Sequence, residues 1–430
     1  MKTVEIQHKQ KQVAKKGLLR NGNFVKFWIG ETISSFGSQI TLMALPLIAT
    51  ISLNATPFEM GVLRTVEYAP FLLFGLFAGV WVDYLPKRLL LISMDFCRAA
   101  TLLIIPLLFA LGSLNMPALW IVAFLTGIYT TFYAIGYQSF VPYMLDKDQL
   151  ADGNSKLELS RSISETSGPG LAGILVQLFS GAFAIILNSV SSIISGTLLL
   201  FLKVDEPKPD KNAKSNSNVW RDIGEGLRFV FNNRYLSAIA GCSATTNFFL
   251  NILLAIFVLY ATREIGLSAA LVGLVMTLSS IGALISAVIS NRVIARFGFG
   301  KAIVSASFLQ GIGGLFFLGA VGTQHFAFAM MCIALFIINF AMIIYNVAQV
   351  SFRQMITEKH LLGRMNATMR TLVWGSIPLG AFTGGLLGTW IGLYPTIVVA
   401  VCGGLFSFLW VLLSPVRSVT DGNMVSVEKK

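Results

Sequence analysis

Gly79-Val-Trp-Val-Asp83-Tyr-Leu-Pro-Lys87-Arg88 lies between two long apolar runs, roughly Phe58–Val82 and Leu89–Leu111. A membrane-crossing helix needs about 20 apolar residues, and each of these runs is long enough. The stretch between them therefore reads as a tight, charged turn joining two membrane helices on one face of the bilayer. Gly79 would let two helices approach closely. Asp83, at a helix end, is placed to accept hydrogen bonds from the exposed N–H groups of a neighbouring helix N-terminus.

Working outward, the whole chain has this texture. Of its 430 residues, 55% are hydrophobic and 12% charged, which leaves room for about twelve spans and short loops. The formal charge of +12 would suit an anionic partner such as nucleic acid, but its placement says otherwise. Lys and Arg collect at the N-terminus and in alternate loops: Lys87/Arg88, Lys147/Lys156, Lys203 to Arg234, Arg292 to Lys301, and Arg353 to Arg370. The intervening loops near Asn54, Asn115, Gly181, Thr323 and Gly392 carry none, and only Arg263, beside Glu264, breaks the pattern. That bias predicts both termini and the middle loop in the cytoplasm, with no nucleic-acid role. The first apolar run is too long for a signal-peptide core, so helix 1 should itself be the insertion signal.

The expected organisation is a cytoplasmic N-terminal tail over 1–23, a six-helix bundle over 24–203, a linker over 204–234, a second six-helix bundle over 235–413, and a C-terminal tail over 414–430. Helix 5 is expected at about 157–179, after a loop that includes Gln149–Asn154. Within the linker, Trp220 to Arg234 spaces Ile223, Leu227, Val230 and Phe231 as an amphipathic helix for the inner membrane surface. The halves repeat at an offset of 212 residues: Tyr133 aligns with Tyr345, Asn154 with Asn366, Gly168 with Gly380, Gly173 with Gly385, and Asp83 with Ala295. Two parallel halves with the site between them at mid-membrane is a transporter layout.

The turn Gly79–Arg88 resembles the signature loop between helices 2 and 3 of the major facilitator superfamily, G-x-x-x-D-[RK]-x-G-x-[RK]-[RK]. Gly79, Asp83, Lys87 and Arg88 fit, although the basic pair falls one residue early, Tyr84 stands for a basic residue and Pro86 for a glycine. In helix 5, Ser164 to Gly173 resembles the antiporter pattern G-x-x-x-G-P-x-x-G-G of drug–proton exporters through Gly168, Pro169 and Gly173. Phe140-Val-Pro-Tyr-Met-Leu and Gln149-Leu-Ala-Asp-Gly-Asn154 look like the loop after helix 4 in the macrolide-efflux branch. The resemblance runs from about Asn21 to Leu413 and implies an all-α, twelve-helix fold. It further implies export of lipophilic or amphipathic, drug- or macrolide-like compounds by proton antiport across a bacterial inner membrane, by a monomer. One departure is that helix 4 lacks the usual arginine, for which Arg98 of helix 3 is the substitute on offer. Export of an endogenous metabolite such as a siderophore, solute uptake, and a non-transporting receptor or scaffold are the alternatives.

Charges within spans cost at least ~2.5 kcal/mol each on insertion scales. They are Glu31, Arg64, Glu67, Asp95, Arg98, Arg161 and Glu165, all in the N-terminal half. Arg64/Glu67, Asp95/Arg98 and Arg161/Glu165 are spaced to neutralise each other on one helix face. Glu31 has no such neighbour except Lys26, so Glu31 is the first candidate proton carrier and Glu165 the second, with Glu67 and Asp95 held by their partners. The resemblance assigns helices 1, 4, 7 and 10 to the cavity, whose candidates are Ser35, Gln39, Tyr129, Tyr133, Tyr137, Asn247, Asn251, Asn339, Tyr345, Asn346 and Gln349. Aromatic surface with a few amides suits a bulky, amphipathic ligand, including a cationic one.

No enzyme chemistry stands out. His8, His325 and His360 fall outside the spans or at their ends, and Gly298-Phe-Gly300-Lys301-Ala302 has the wrong spacing for a phosphate loop. Cys97, Cys242, Cys332 and Cys402 lie singly in separate helices, giving neither a disulfide framework nor a metal site, and no cofactor is implied.

Overall fold

The computed structural model describes residues 18–83, 85–145, 149–204, 206, 219–358 and 361–419. Its long helices are α1 (Gly22–Ser52), α2 (Pro57–Asp83), α3 (Lys87–Ala110), α4 (Met116–Met144), α5 (Leu150–Leu178), α6 (Gly181–Leu200), α7 (Arg234–Glu264), α8 (Ala269–Phe297), α9 (Phe299–Leu318), α10 (Gln324–Ile356), α11 (Leu362–Trp390) and α12 (Leu393–Leu412). Among the described residues, ten are long and apolar enough to cross a membrane. The other two, α2 and α5, are 27 and 29 residues long but carry several charges each.

Helix starts follow local chemistry. Asn21, Asn115, Ser180, Asn233 and Ser268 each accept a backbone N–H with the side chain, which satisfies donors left free by the first turn. Helix 5 starts earlier than expected. Residues 150–156 continue it as a polar turn, where Lys156 pairs with Asp152 one turn back and Gly153 packs against Leu145 and Phe24.

The helices form two lobes with the same wiring. In the first, α1 packs on α5 and α6, α3 on α4 and α6, and α2 on α4. In the second, α7 packs on α11 and α12, α9 on α10 and α12, and α8 on α10. The repeat reaches small details, since α1 and α7 both finish in a π-helical turn, over 48–52 and 260–264. The linker helix Val219–Asn232 docks on the second lobe. Val230 is buried in that lobe's core, Gly226 lies against the backbone of Arg364, and Glu225 pairs with Arg364 at 2.7 Å.

The lobes meet through α2 against α11 and α5 against α8. A Cβ added at Gly61 would stand 2.5 Å from the Gly385 Cα, one at Gly173 would stand 2.4 Å from the Ala269 carbonyl oxygen, and one at Gly273 would stand 2.4 Å from that of Pro169. Only hydrogen at these positions lets the backbones approach so closely. Arg263 donates to the Thr50 carbonyl at 3.1 Å, and the Ala270 N–H donates to Gln177 at 3.0 Å. These contacts close the end of the molecule opposite the linker, called here the far end. Among the described residues, no hydrogen bond joins the lobes in the half nearer the linker, called here the tail end.

Candidate functional site

Three arrangements of polar and charged side chains are candidates. The first is the turn at the tail end. Lys87 is 7% exposed and its ammonium donates to the Val82 and Leu85 carbonyls, while the Arg88 guanidinium donates to the Leu199 and Leu200 carbonyls at 2.9 and 2.5 Å. The basic pair thus ties the end of α2, the start of α3 and the end of α6 together. The backbone N–H groups of Lys87 and Arg88 donate to the carboxylate of Glu206 at 2.6 and 2.7 Å. An acid at a helix N-terminus is favourable both as a cap and against the helix dipole. The expected acid for such a role was Asp83, whose side chain, with the surroundings of Gly79, lies outside the described residues. Glu206 was missed, although its place directly after helix 6 was the available signal.

The second arrangement is a charged cluster inside the first lobe. Asp95 is fully buried and accepts from Arg98 at 2.5 Å, as the spacing required. Arg98, 5% exposed, also donates to Ser34 of α1 at 2.6 Å and Ser192 of α6 at 3.1 Å. Its guanidinium carbon lies 5.4 Å from the centre of the Tyr133 ring, and the Tyr133 hydroxyl donates to Glu31 at 2.7 Å. A cation over an aromatic face and a charge-assisted hydrogen bond through the same ring connect Glu31 to Arg98. Four helices contribute to this cluster, in which Asp95 Oδ2 alone is enclosed without a hydrogen bond.

The other two in-span pairs differ from each other. Arg161 does pair with Glu165 at 3.1 Å, and also with Glu158 at 2.6 Å, on an exposed face of α5. Arg64 does not neutralise Glu67 by direct contact. It reaches across to the second lobe and donates to Asn251 at 3.1 Å, because α2 lies against that lobe at this depth.

The third arrangement is the central cavity. A volume of about 390 Å³ is enclosed by α7, α9, α10 and α11, with Asn247, Gln310, Tyr345, Asn346, Gln349 and Arg353 among its walls. A second volume of about 330 Å³ lies between α2, α4 and α11, and both share Asn366, Arg370 and Trp374. Of the residues expected to line a cavity, Asn247, Tyr345, Asn346 and Gln349 do so. Ser35, Gln39, Tyr129, Tyr133, Tyr137, Asn251 and Asn339 line neither volume. The helix 4 aromatics pack instead: Tyr137 stacks on Phe27, Phe132 on Trp81, and Tyr133 serves Glu31. From α4 the wall is Thr131, Ile135 and Gln138. Gln39 is taken up by Gly168, and Asn339 donates to Ser279. Arg353 and Arg370, which the sequence suggested as loop charges, are instead cavity residues on helices that run longer than their apolar cores.

Two six-helix lobes of identical wiring, closed at one end over a polar cavity, define a membrane transporter of the major facilitator type. The profile of the family described as transmembrane secretion effector matches residues 16–429, and the chain belongs to that family. It is 22% identical over 419 residues to the uncharacterized MFS-type transporter YfiS of Bacillus subtilis, covering 93% of this chain and 94% of that one. It is 23% identical to the multidrug efflux pump Tap of Mycolicibacterium fortuitum, covering 84% and 88% of the two chains. With macrolide efflux protein A of Streptococcus pyogenes it shares 22% identity, over 50% of this chain and 53% of the relative. Among solved structures, a point mutant of the nucleoside transporter NupG superposes with a TM-score of 0.72 at 14% identity, covering 92% of this chain and 99% of that one. A bacterial homologue of the iron transporter ferroportin, in an inward-facing state, gives 0.70 at 16% identity, covering 93% and 99%. At such identities the solved structures establish the fold alone.

Proposed function

We propose that this protein exports lipophilic, amphipathic small molecules by proton antiport, rocking its lobes between a state open at the tail end and one open at the far end. The observation that carries the coupling is the Glu31–Tyr133–Arg98–Asp95 cluster. With Glu31 ionised the cluster holds one net negative charge, and with Glu31 protonated it holds none. Enclosing an uncompensated charge costs several kcal/mol, so gain or loss of this proton biases which lobe arrangement is favoured. The efflux relatives support the direction. The charge bias supports a cytoplasmic tail end, so the arrangement described here is the one that loads from the cytoplasm. A single cysteine at Asn54 should then be labelled from outside only, and labelling only from the cytoplasm would invert the assignment.

The deciding experiment is flux in proteoliposomes with an imposed pH gradient and a panel of macrolides and lipophilic dyes. Glu31→Gln should bind substrate as the parent does and lose gradient-driven export by at least tenfold, equivalent to ~1.4 kcal/mol in the barrier. Normal export by Glu31→Gln, with proton release on substrate addition undiminished, would remove Glu31 from the coupling.

A further inference from the structure

Arg353 is 8% exposed, lines the 390 Å³ cavity, and makes no hydrogen bond or ion pair among the described residues; its Nε is fully enclosed and unsatisfied. Beside it, Gln349 is 7% exposed with an enclosed, unsatisfied Oε1. Such groups are costly to bury unless something meets them. Arg98, at comparable burial in the other lobe, meets Asp95 and two serines. Among the described residues nothing equivalent meets Arg353. The second lobe has only two acids between 235 and 413, Glu264 near the far end and Glu358 beyond α10, and neither borders the cavity. What does border it is a second cation, Arg370, lying 5.0 Å over the Trp374 ring, with the amides of Asn247, Gln310 and Asn346.

We infer that this cavity takes the oxyanion of an amphipathic substrate, a carboxylate or a phosphate ester. The anion meets the guanidinium of Arg353, Arg370 closes on it from α11, and the apolar part lies towards Trp374, Leu72 and Phe71 in the adjoining volume. Guanidinium presents a planar fork of donors that matches both oxyanions, and a cavity of this size is in the range of small-molecule sites. This inference names the substrate class within the transport reading above and rests on that reading for its biological meaning. Its test is equilibrium binding, which needs no gradient, so failure of proton coupling and failure of the anion site are separate results.

The test uses the full chain in nanodiscs of phosphatidylcholine and four probes with one ring system: 1-naphthylacetate, 1-naphthyl phosphate, 1-naphthylmethylammonium and 1-naphthylmethanol. At least one anionic probe should bind tenfold or more tighter than the cation and the alcohol. Arg353→Gln should abolish that preference while changing the alcohol's affinity less than twofold. Arg370→Gln, at an exposed position, should weaken the anionic probe alone and keeps the test open if Arg353→Gln does not fold. The tighter of the two anionic probes identifies the oxyanion. If phosphatidylglycerol added to the nanodiscs displaces that probe from the parent protein, the natural oxyanion is a lipid headgroup, and if it does not, a water-borne solute. Equal binding of anion and cation, or an anion preference that survives both arginine substitutions, overturns the inference.

Discussion

The two lobes share one wiring and one tyrosine geometry but hold opposite chemistry. Tyr133 donates to Glu31 at 2.7 Å in the first lobe, and 212 residues on, Tyr345 bonds Ser243 at 2.8 Å in the second. At the same offset Asp95 becomes Ser307, Arg98 becomes Gln310, and Glu158 becomes Arg370. The first lobe has bound its in-span charges mostly to one another, whereas the second has neutral polar groups there and a cation facing open space. A fold of this kind fixes where side chains stand. It leaves each half free to specialise, and the proposed function uses that freedom to place the proton in one half and the ligand in the other.

The sharpest way to break the comparison is to remove the partner of a buried charge in one lobe and its neutral counterpart in the other. Asp95→Asn takes from buried Arg98 its one directly bonded carboxylate, leaving Glu31 across the Tyr133 ring as the nearest acid of the cluster, and should cost about 3–5 kcal/mol. Ser307→Ala removes a hydrogen bond to the Val304 carbonyl and no charge, and should cost about 0.5–1.5 kcal/mol. Thermal unfolding in detergent checks the order. Adding Arg98→Gln to Asp95→Asn, which leaves two neutral side chains there as the second lobe has, should recover most of the loss. If the double variant is no better than the single, the cluster is held by something other than charge pairing.

The contact between lobes offers a second, smaller test. Gly61→Val puts a branched side chain where only 2.5 Å separates a Cβ from the Gly385 backbone, so it should oppose closure of the far end. A single cysteine at Asn247 should then label more slowly from the tail end and faster from the far end. Unchanged labelling from both ends would mean that this approach does not set the balance of states.

The smallest effect concerns the tail-end caps. Glu206 caps α3 with its carboxylate, while at the equivalent place the Gly300 N–H at the start of α9 donates to the Val419 carbonyl at 3.2 Å. Glu206→Gln should cost about 1 kcal/mol, the usual scale of a helix cap. Ser418→Ala, its counterpart by sequence offset, should cost less, since there the cap is backbone. Equal losses in paired melting measurements would show that the carboxylate has no special role.

The number of long helices, their division into two repeated halves and the concentration of in-span charge in the first half were all legible in the sequence. Burial in lipid leaves a continuous apolar run as the signature of each span, and an ion there needs a partner close by. The Asp95/Arg98 and Arg161/Glu165 pairs could be read for the same reason, because helical spacing alone brings their charges together. Only the tertiary structure decided that Arg64 reaches Asn251 and not Glu67, that Tyr133 serves Glu31 and not the cavity, and that Glu206 caps α3. It also placed Arg353 and Arg370 on the cavity wall. Each of these depends on which helix faces which, at what depth and rotation. That is set by close approaches such as Gly61 on Gly385 and Gly173 on Ala269, between residues far apart in the chain, where periodicity along a single helix carries no information.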